Sequence, residues 1–132
     1  MIYETLTIAV DFDGTIVDDA YPKVGKEKLF AFETLKKLQE KGHRLILWTY
    51  RSGRMLEEAI QFCKANGITF YSVNSSFPEE IFDEKYSRKI NADVFIDDRN
   101  IGEVLGWGEV YQTLLKEEAP LQKKKKKNWF GF

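Results

Sequence analysis

Asp11-Phe12-Asp13-Gly14-Thr15 closes the apolar run Leu6–Val10, and its two carboxylates stand one residue apart. Side chains alternate along a strand, so positions i and i+2 at a strand end point the same way. Gly14 allows the sharp turn that follows. Such a strand end can hold a divalent cation while one carboxylate attacks an electrophile and the other carries a proton. An Asp-Gly pair on its own commonly marks nothing more than a surface turn. Here, however, further polar clusters stand behind similar apolar runs: Thr49-Tyr50-Arg51, Asn74-Ser75-Ser76 and Asp97-Asp98, with Arg88 and Lys89 shortly before the last. Independent surface turns would seldom produce that ordered set.

The elements that must position these residues read as alternating strands and helices. Strands are expected at Leu6–Val10, Arg44–Trp48, Thr69–Val73 and Val94–Ile96, with a weaker candidate at Glu109–Tyr111. Short apolar runs such as Leu45-Ile46-Leu47-Trp48 suit strands buried on both faces. Between the first two, Lys26 to Lys41 carries Ala31, Leu35 and Leu38 at helical spacing, and Gly42 supplies a stop. Arg54 to Asn66 carries two apolar rows, Met55-Ala59-Phe62 and Leu56-Ile60-Cys63, again closed by a glycine, Gly67. The pattern predicts an α/β domain, a doubly wound, Rossmann-like and mainly parallel sheet with helices on both faces. In such a sheet ligands gather beyond the carboxyl ends of the strands, where the polar clusters lie.

Composition narrows the chemistry. At 132 residues, 43% hydrophobic, the chain suffices for one core and not two. One domain is expected over residues 1–122, followed by a tail over 123–132 in which Lys123 to Lys127 precede Trp129, Phe130 and Phe132. The tail reads as solvated lysines with rings that need a partner surface, on the same subunit or on a neighbour. The net charge of −1 includes those five lysines, so the body is acidic and carries no general attraction for nucleic acid. One cysteine, Cys63, excludes an internal disulfide and fits a core row. The one histidine, His43, sits where a helix gives way to a strand and reads as a cap or surface residue. Histidine triads and zinc sites are therefore disfavoured. With no secretory start and no long apolar run, a soluble cytoplasmic protein without membrane association is the default expectation.

In this order the motifs resemble those of the haloacid dehalogenase-like hydrolases, most of which are Mg²⁺-dependent phosphatases. The resemblance spans Ile8 to about Asn100. It rests on D-x-D-G-T after the first strand, Thr49 ending the second, a lysine ahead of the last motif strand (Lys89, with Lys85 the alternative), and the acidic pair Asp97-Asp98. The resemblance implies that Asp11 is the nucleophile and forms an aspartyl-phosphate, with Asp13 the general acid and base. It implies Mg²⁺ as cofactor, held by the Asp11 carboxylate, the Asp13 backbone carbonyl, Asp97 and Asp98. Thr49 and Lys89 would bind the transferring phosphoryl group. Phe12, Tyr50, Arg51 and Asn74 are the further candidates for substrate contact. Arg51 would reach a second anionic group or pair with a carboxylate.

Many members of that family close the site with an inserted cap domain. Ile16 to Glu27 has room only for a short turn and flap, and Asn74 to Arg88 must already connect two strands, so a capless member is expected. An open site suits a phosphorylated small molecule foremost. A nucleic-acid end or a phosphoprotein would also fit, and a neighbouring subunit could supply the missing wall. Two other readings compete. A receiver-type phosphoacceptor has a similar fold and a Thr and Lys near its site, but its acceptor Asp closes a middle strand, where this chain has Trp48-Thr49. A catalytically silent phosphate-binding protein of the same fold would not need every motif position filled.

Overall fold

The structure, a computed structural model, describes residues 5–102 and 105–116. Four strands, β1 (Thr7–Val10), β2 (Arg44–Leu47), β3 (Ser72–Val73) and β4 (Val94–Ile96), form one sheet in the order β3-β2-β1-β4. All pairings are parallel, with Ile8 beside Leu45 and Val94, and Val10 beside Leu47 and Ile96. Among the described residues there are three helices: α1 (Ala31–Glu40), α2 (Gly53–Ala65) and α3 (Trp107–Leu115). The basic tail and its three rings lie outside the described residues. Among those described, no helix is long and apolar enough to cross a membrane.

Ile8, Val10, Leu45 and Leu47 project from one face of the sheet into the main core. There they meet Phe32, Leu35 and Leu38 of α1, Ala59 and Cys63 of α2, and Trp107 and Val110 of α3. Each fully buried Leu, Ile or Phe in this layer contributes roughly 1.5–3 kcal/mol by leaving water. The thiol of Cys63 is pushed up to about 12 by burial, which makes it a packing group and not a nucleophile. His43 accepts the Leu6 N–H through Nδ1 at 3.0 Å, so it satisfies the backbone at the entry to β1.

The opposite face is thinner. Ala9 and Ile46 pack with Ile90, and Trp48, Tyr71 and Ala92 lie against them. The connection from β3 to β4 must cross this face, because β4 pairs on the far side of β1 and parallel crossovers are right-handed. A doubly wound sheet usually carries a helix there. In this chain residues 74–93 cross without one, and Phe77, Ile81, Phe82 and Tyr86 remain exposed.

Three elements differ from the sequence reading. The third strand, expected over Thr69–Val73, is confined to Ser72–Val73. The first helix begins at Ala31 instead of Lys26, because Glu27 bridges to Val17 and Phe30 takes a left-handed backbone, φ 67°, immediately before the helix. Residues 16–27 thereby form a small flap, closed by Asp18 N–H to Lys26 O and Lys28 N–H to Ile16 O. Glu109–Tyr111, expected as a strand, lies inside α3. Trp107, Val110, Tyr111 and Leu114 recur at i, i+3, i+4 and i+7, a period that a three-residue window hides. The Glu109 carboxylate accepts the Gly106 N–H at 3.0 Å and starts the helix there.

That helix is more than cover. The Trp107 indole N–H donates to the Thr15 carbonyl at 2.7 Å, across 92 residues of chain, and so ties α3 to the turn after β1. Trp107→Phe keeps an aromatic ring in the core cluster and removes the donor to that carbonyl. We expect a loss of about 1–3 kcal/mol in urea unfolding. A loss below about 0.5 kcal/mol, the usual range of surface substitutions, would show that the bond does not hold the turn.

Candidate active site

Because the strands are parallel, all their carboxyl ends open on one side of the sheet. Asp11 and Asp13 follow β1, Thr49 to Arg51 follow β2, Asn74 follows β3, and Asp97 and Asp98 follow β4. The ladder continues past the strands and sets their depth: Asp11 N–H donates to Ile96 O, Trp48 N–H to Val10 O and Asn74 N–H to Leu47 O, at 2.8–2.9 Å. Asp11, Asp13, Asp19, Tyr21, Trp48, Thr49, Tyr50, Asp97 and Arg99 then enclose a cleft of about 660 Å³. That is within the range of about 300–1,000 Å³ typical of small-molecule sites.

Carboxylate oxygens of Asp11 and Asp97, which line the cleft, and of the adjoining Asp98 come within 4.8 Å of one another. Thr15 donates its hydroxyl to Asp11 at 2.8 Å and lies 3.4 Å from Asp98. The turn that allows this approach requires Gly14. Its φ is +85°, and an added Cβ would lie 2.2 Å from the Asp98 Oδ2. Three half-buried carboxylates facing one another repel. Desolvation first, then a shared hydrogen bond with Asp98 and the charges of Asp97 and Asp98, push the Asp11 carboxyl up from 3.8 to about 7, against the opposing Thr15 bond. An all-oxygen, multiply anionic donor set of this kind fits a hard divalent cation.

Asp13 has a different environment. Both its oxygens accept from Arg51, Nε to Oδ2 at 2.7 Å and one terminal nitrogen to Oδ1 at 2.8 Å. The remaining guanidinium hydrogens go to the carbonyls of Pro22, Lys23 and Met55 at 2.8–3.1 Å. Arg51 is 1% exposed, lies over the Phe12 ring, and has all five of its donors occupied. Its hydrogen bonds to Asp13 raise the guanidinium pKa further, in spite of burial. The side chain expected on the rim as a second anion contact is therefore committed to Asp13 and to the flap.

The other candidates divide in the same way. Thr49 lines the cleft; its Oγ1 accepts the Arg51 N–H, and its own N–H donates to the Asn74 side chain at 2.8 Å. Asn74 thus positions the Thr49 loop and is itself off the cleft. The Phe12 side chain is fully buried against Phe62, so any ligand contact from this residue has to come from its backbone. Tyr50 stands at the mouth, 88% exposed. Lys89 and Lys85 are both exposed and neither lines the cleft; each backbone N–H closes a local turn, to Ser87 and Asp83 respectively. No helix precedes β4 to fix where a lysine there points. Among the described residues, the cationic side chain that does line the cleft is Arg99, directly behind the acidic pair and overlooked in the sequence. Thr15, Asp19 and Trp48 were likewise unassigned, although Thr15 belongs to the D-x-D-G-T motif and could have been found there.

Residues 8–77 match the family model of the haloacid dehalogenase-like hydrolases. The chain is also similar to a solved structure of a conserved protein coded by a locus from Bacteroides thetaiotaomicron. The two share 52% identity over 86% of this chain and 92% of the other, with a TM-score of 0.80. No curated protein matches.

Two outcomes follow from the site's electrostatics. The folded state holds the Asp11 proton above the pH at which the unfolded chain releases it, so native protein binds more protons between 3.8 and about 7. Stability of metal-free protein should accordingly fall as pH rises through that window. Asp11→Asn removes the titrating group, and its melting temperature in chelator should exceed that of the unsubstituted protein by a margin that widens from pH 5 to pH 8. A constant margin would contradict the assignment. Arg51→Met leaves the largely buried Asp13 carboxylate without its ion-pair partner and the Pro22 and Lys23 carbonyls without the guanidinium, and should cost about 3–5 kcal/mol in denaturant unfolding, as breaking buried pairs does. A cost under about 1 kcal/mol would place Arg51 with ordinary surface pairs.

Proposed function

The chain belongs to the haloacid dehalogenase-like hydrolases, and on that premise we propose that it is a Mg²⁺-dependent phosphomonoester hydrolase working through an aspartyl-phosphate. The observation that carries this reading is the convergence of Asp11, Asp97 and Asp98 at one strand-end floor, with Asp13 two residues from Asp11 on the same turn. Asp11, Asp97 and Asp98, with the Asp13 backbone carbonyl, would hold the cation. Bound there, it offsets the repulsion between an anionic nucleophile and an anionic phosphate.

The residues supply the rest. A carboxylate oxygen of Asp11 forms a bond to phosphorus as the bond from phosphorus to the leaving oxygen breaks, and that oxygen takes a proton from Asp13. In the second half, water attacks the same phosphorus and gives its proton to Asp13. The acyl-phosphate bond breaks and inorganic phosphate leaves. Thr15 fixes the attacking carboxylate through the oxygen it bonds. Thr49, its Oγ1 already anchored to the Arg51 N–H, directs its hydroxyl hydrogen at a phosphoryl oxygen. Proton transfer by Asp13 requires release of at least one of its two bonds to Arg51, which binds the carboxylate on both oxygens. Positive charge on the phosphoryl group is assigned to Arg99, which lines the cleft, ahead of Lys89, which does not.

Phosphate release from a panel of phosphomonoesters with Mg²⁺ tests the reading. Asp11→Asn should lose turnover by at least about 10³-fold, the scale of removing a catalytic nucleophile, and Asp13→Asn should be severely impaired. Excess chelator should abolish activity. Turnover near the unsubstituted rate for Asp11→Asn, or full activity in chelator, would overturn the mechanism; a phosphorylated state stable for minutes without turnover would favour a phosphoacceptor.

A further inference from the structure

Three aromatic side chains, Tyr21, Trp48 and Tyr50, share the cleft with Asp11 and Asp13. Tyr50 is 88% exposed and Tyr21 is 42% exposed, and their ring centroids are 6.2 Å apart with the planes at 63°. The two rings form a corner at the mouth, open to solvent on the free face of Tyr50. Tyr21 is not on a loose loop: the next two carbonyls of the chain, Pro22 and Lys23, accept from the buried Arg51 guanidinium, which also lies 5.3 Å from the Tyr21 ring centroid. The group that holds Asp13 therefore also holds the aromatic wall. A wall fixed before binding recognises a ligand without the ordering cost of a closing lid.

The floor needs only a phosphoryl group, which fills a small part of about 660 Å³. What remains is lined by Tyr21, Trp48 and Tyr50, with Asp19 beside them. Aromatic faces attract flat rings by stacking and offer little to the hydroxyls of a bare sugar. Asp19 adds an acceptor, as the edge of a heterocycle or a ribose requires.

We propose that the cleft selects phosphomonoesters whose leaving group carries a flat heteroaromatic ring set back from the phosphate by a spacer, the chemistry of a nucleoside 5′-monophosphate. This rests on the hydrolase reading above. The phosphate sits on the acidic floor, the pentose spans the depth of the cleft, and the base stacks on Tyr50 against the corner made with Tyr21. Water cleaves the phosphate ester to give the nucleoside and inorganic phosphate. A phosphotyrosine ring, bonded directly to its phosphate, stays at the floor and leaves the corner unfilled.

The test compares AMP, GMP, CMP and UMP with ribose 5-phosphate, which lacks only the base, and with a phosphotyrosine peptide, all with Mg²⁺. The best nucleotide should exceed ribose 5-phosphate in kcat/KM by at least about tenfold, or about 1.4 kcal/mol, within the range of stacking one base. Tyr50→Ala should cut that ratio about tenfold, whereas Tyr86→Ala, an exposed ring away from the cleft, should leave the ratio unchanged. Equal efficiency for nucleotide and ribose 5-phosphate overturns the base slot and leaves the hydrolase intact; so does a phosphotyrosine peptide turned over faster than any nucleotide. If nothing is hydrolysed, the hydrolase reading fails. The slot is then read by calorimetric binding of AMP and ribose 5-phosphate to the Asp11→Asn protein, where equal affinities overturn it and tighter AMP binding supports it.

Discussion

One buried ion pair organises the working end of this molecule. The guanidinium of Arg51 meets Asp13 on two parallel hydrogen bonds and gives its remaining hydrogens to backbone carbonyls of the flap and of α2. A buried guanidinium is costly unless every donor is satisfied, and here every one is. Its satisfaction comes from three separate stretches of chain: the turn after β1, the flap, and the first turns of α2. None of the three can move without leaving a buried charge or carbonyl unpaired. Local geometry at the mouth of the cleft thus depends on a buried residue that is not part of the cleft lining.

The acidic floor is organised by a second set of bonds. Trp107 holds the Thr15 carbonyl, and Thr15 holds Asp11 through its hydroxyl. Gly14 leaves room for Asp98 where any other residue would place a Cβ. The result is a set of partly buried carboxylates held close together, and burial first, then the neighbouring Asp98 and Asp97, push the Asp11 carboxyl upward. Repulsion stored in this way is relieved by a cation or by a proton, and the scaffold that enforces it is the packed layer of α1 and α3 under the sheet. Stability and cation affinity are therefore opposed at this site: the arrangement that favours the ion disfavours the metal-free fold at neutral pH.

The thin second face has a related consequence. With residues 74–93 crossing the sheet without a helix, the stretch ahead of β4 has no periodic element to aim a side chain toward the cleft. The lysines in that stretch face solvent, and Arg99 on the far side of the acidic pair brings positive charge to the rim instead. Among the described residues the wall of the cleft is local too, since the flap with Tyr21 is anchored from beneath by Arg51.

Much of this was legible in the order of residues. The strands β1, β2 and β4 fall where the apolar runs lie, and parallel connectivity alone puts Asp11, Asp13, Thr49 and Asp97-Asp98 at one end of the sheet, because every strand must point the same way. Those positions are set by chain direction and period, which are local properties. Gly14 was readable as a turn, but its closeness to Asp98 was not, since those residues are brought together only by β1 pairing with β4. The character of Arg51 was equally hidden: an arginine after a strand looks the same in sequence whether it reaches for solvent or turns inward, and the decision lies with carbonyls at Pro22, Lys23 and Met55 that arrive from elsewhere. Glu109–Tyr111 reads as a strand only because a three-residue window carries no period, and Lys89 rests on resemblance to a family pattern. Sequence determined which groups stand at the strand ends; tertiary structure decided which of them face the cleft, because a long side chain points toward whichever distant partners satisfy its hydrogen bonds.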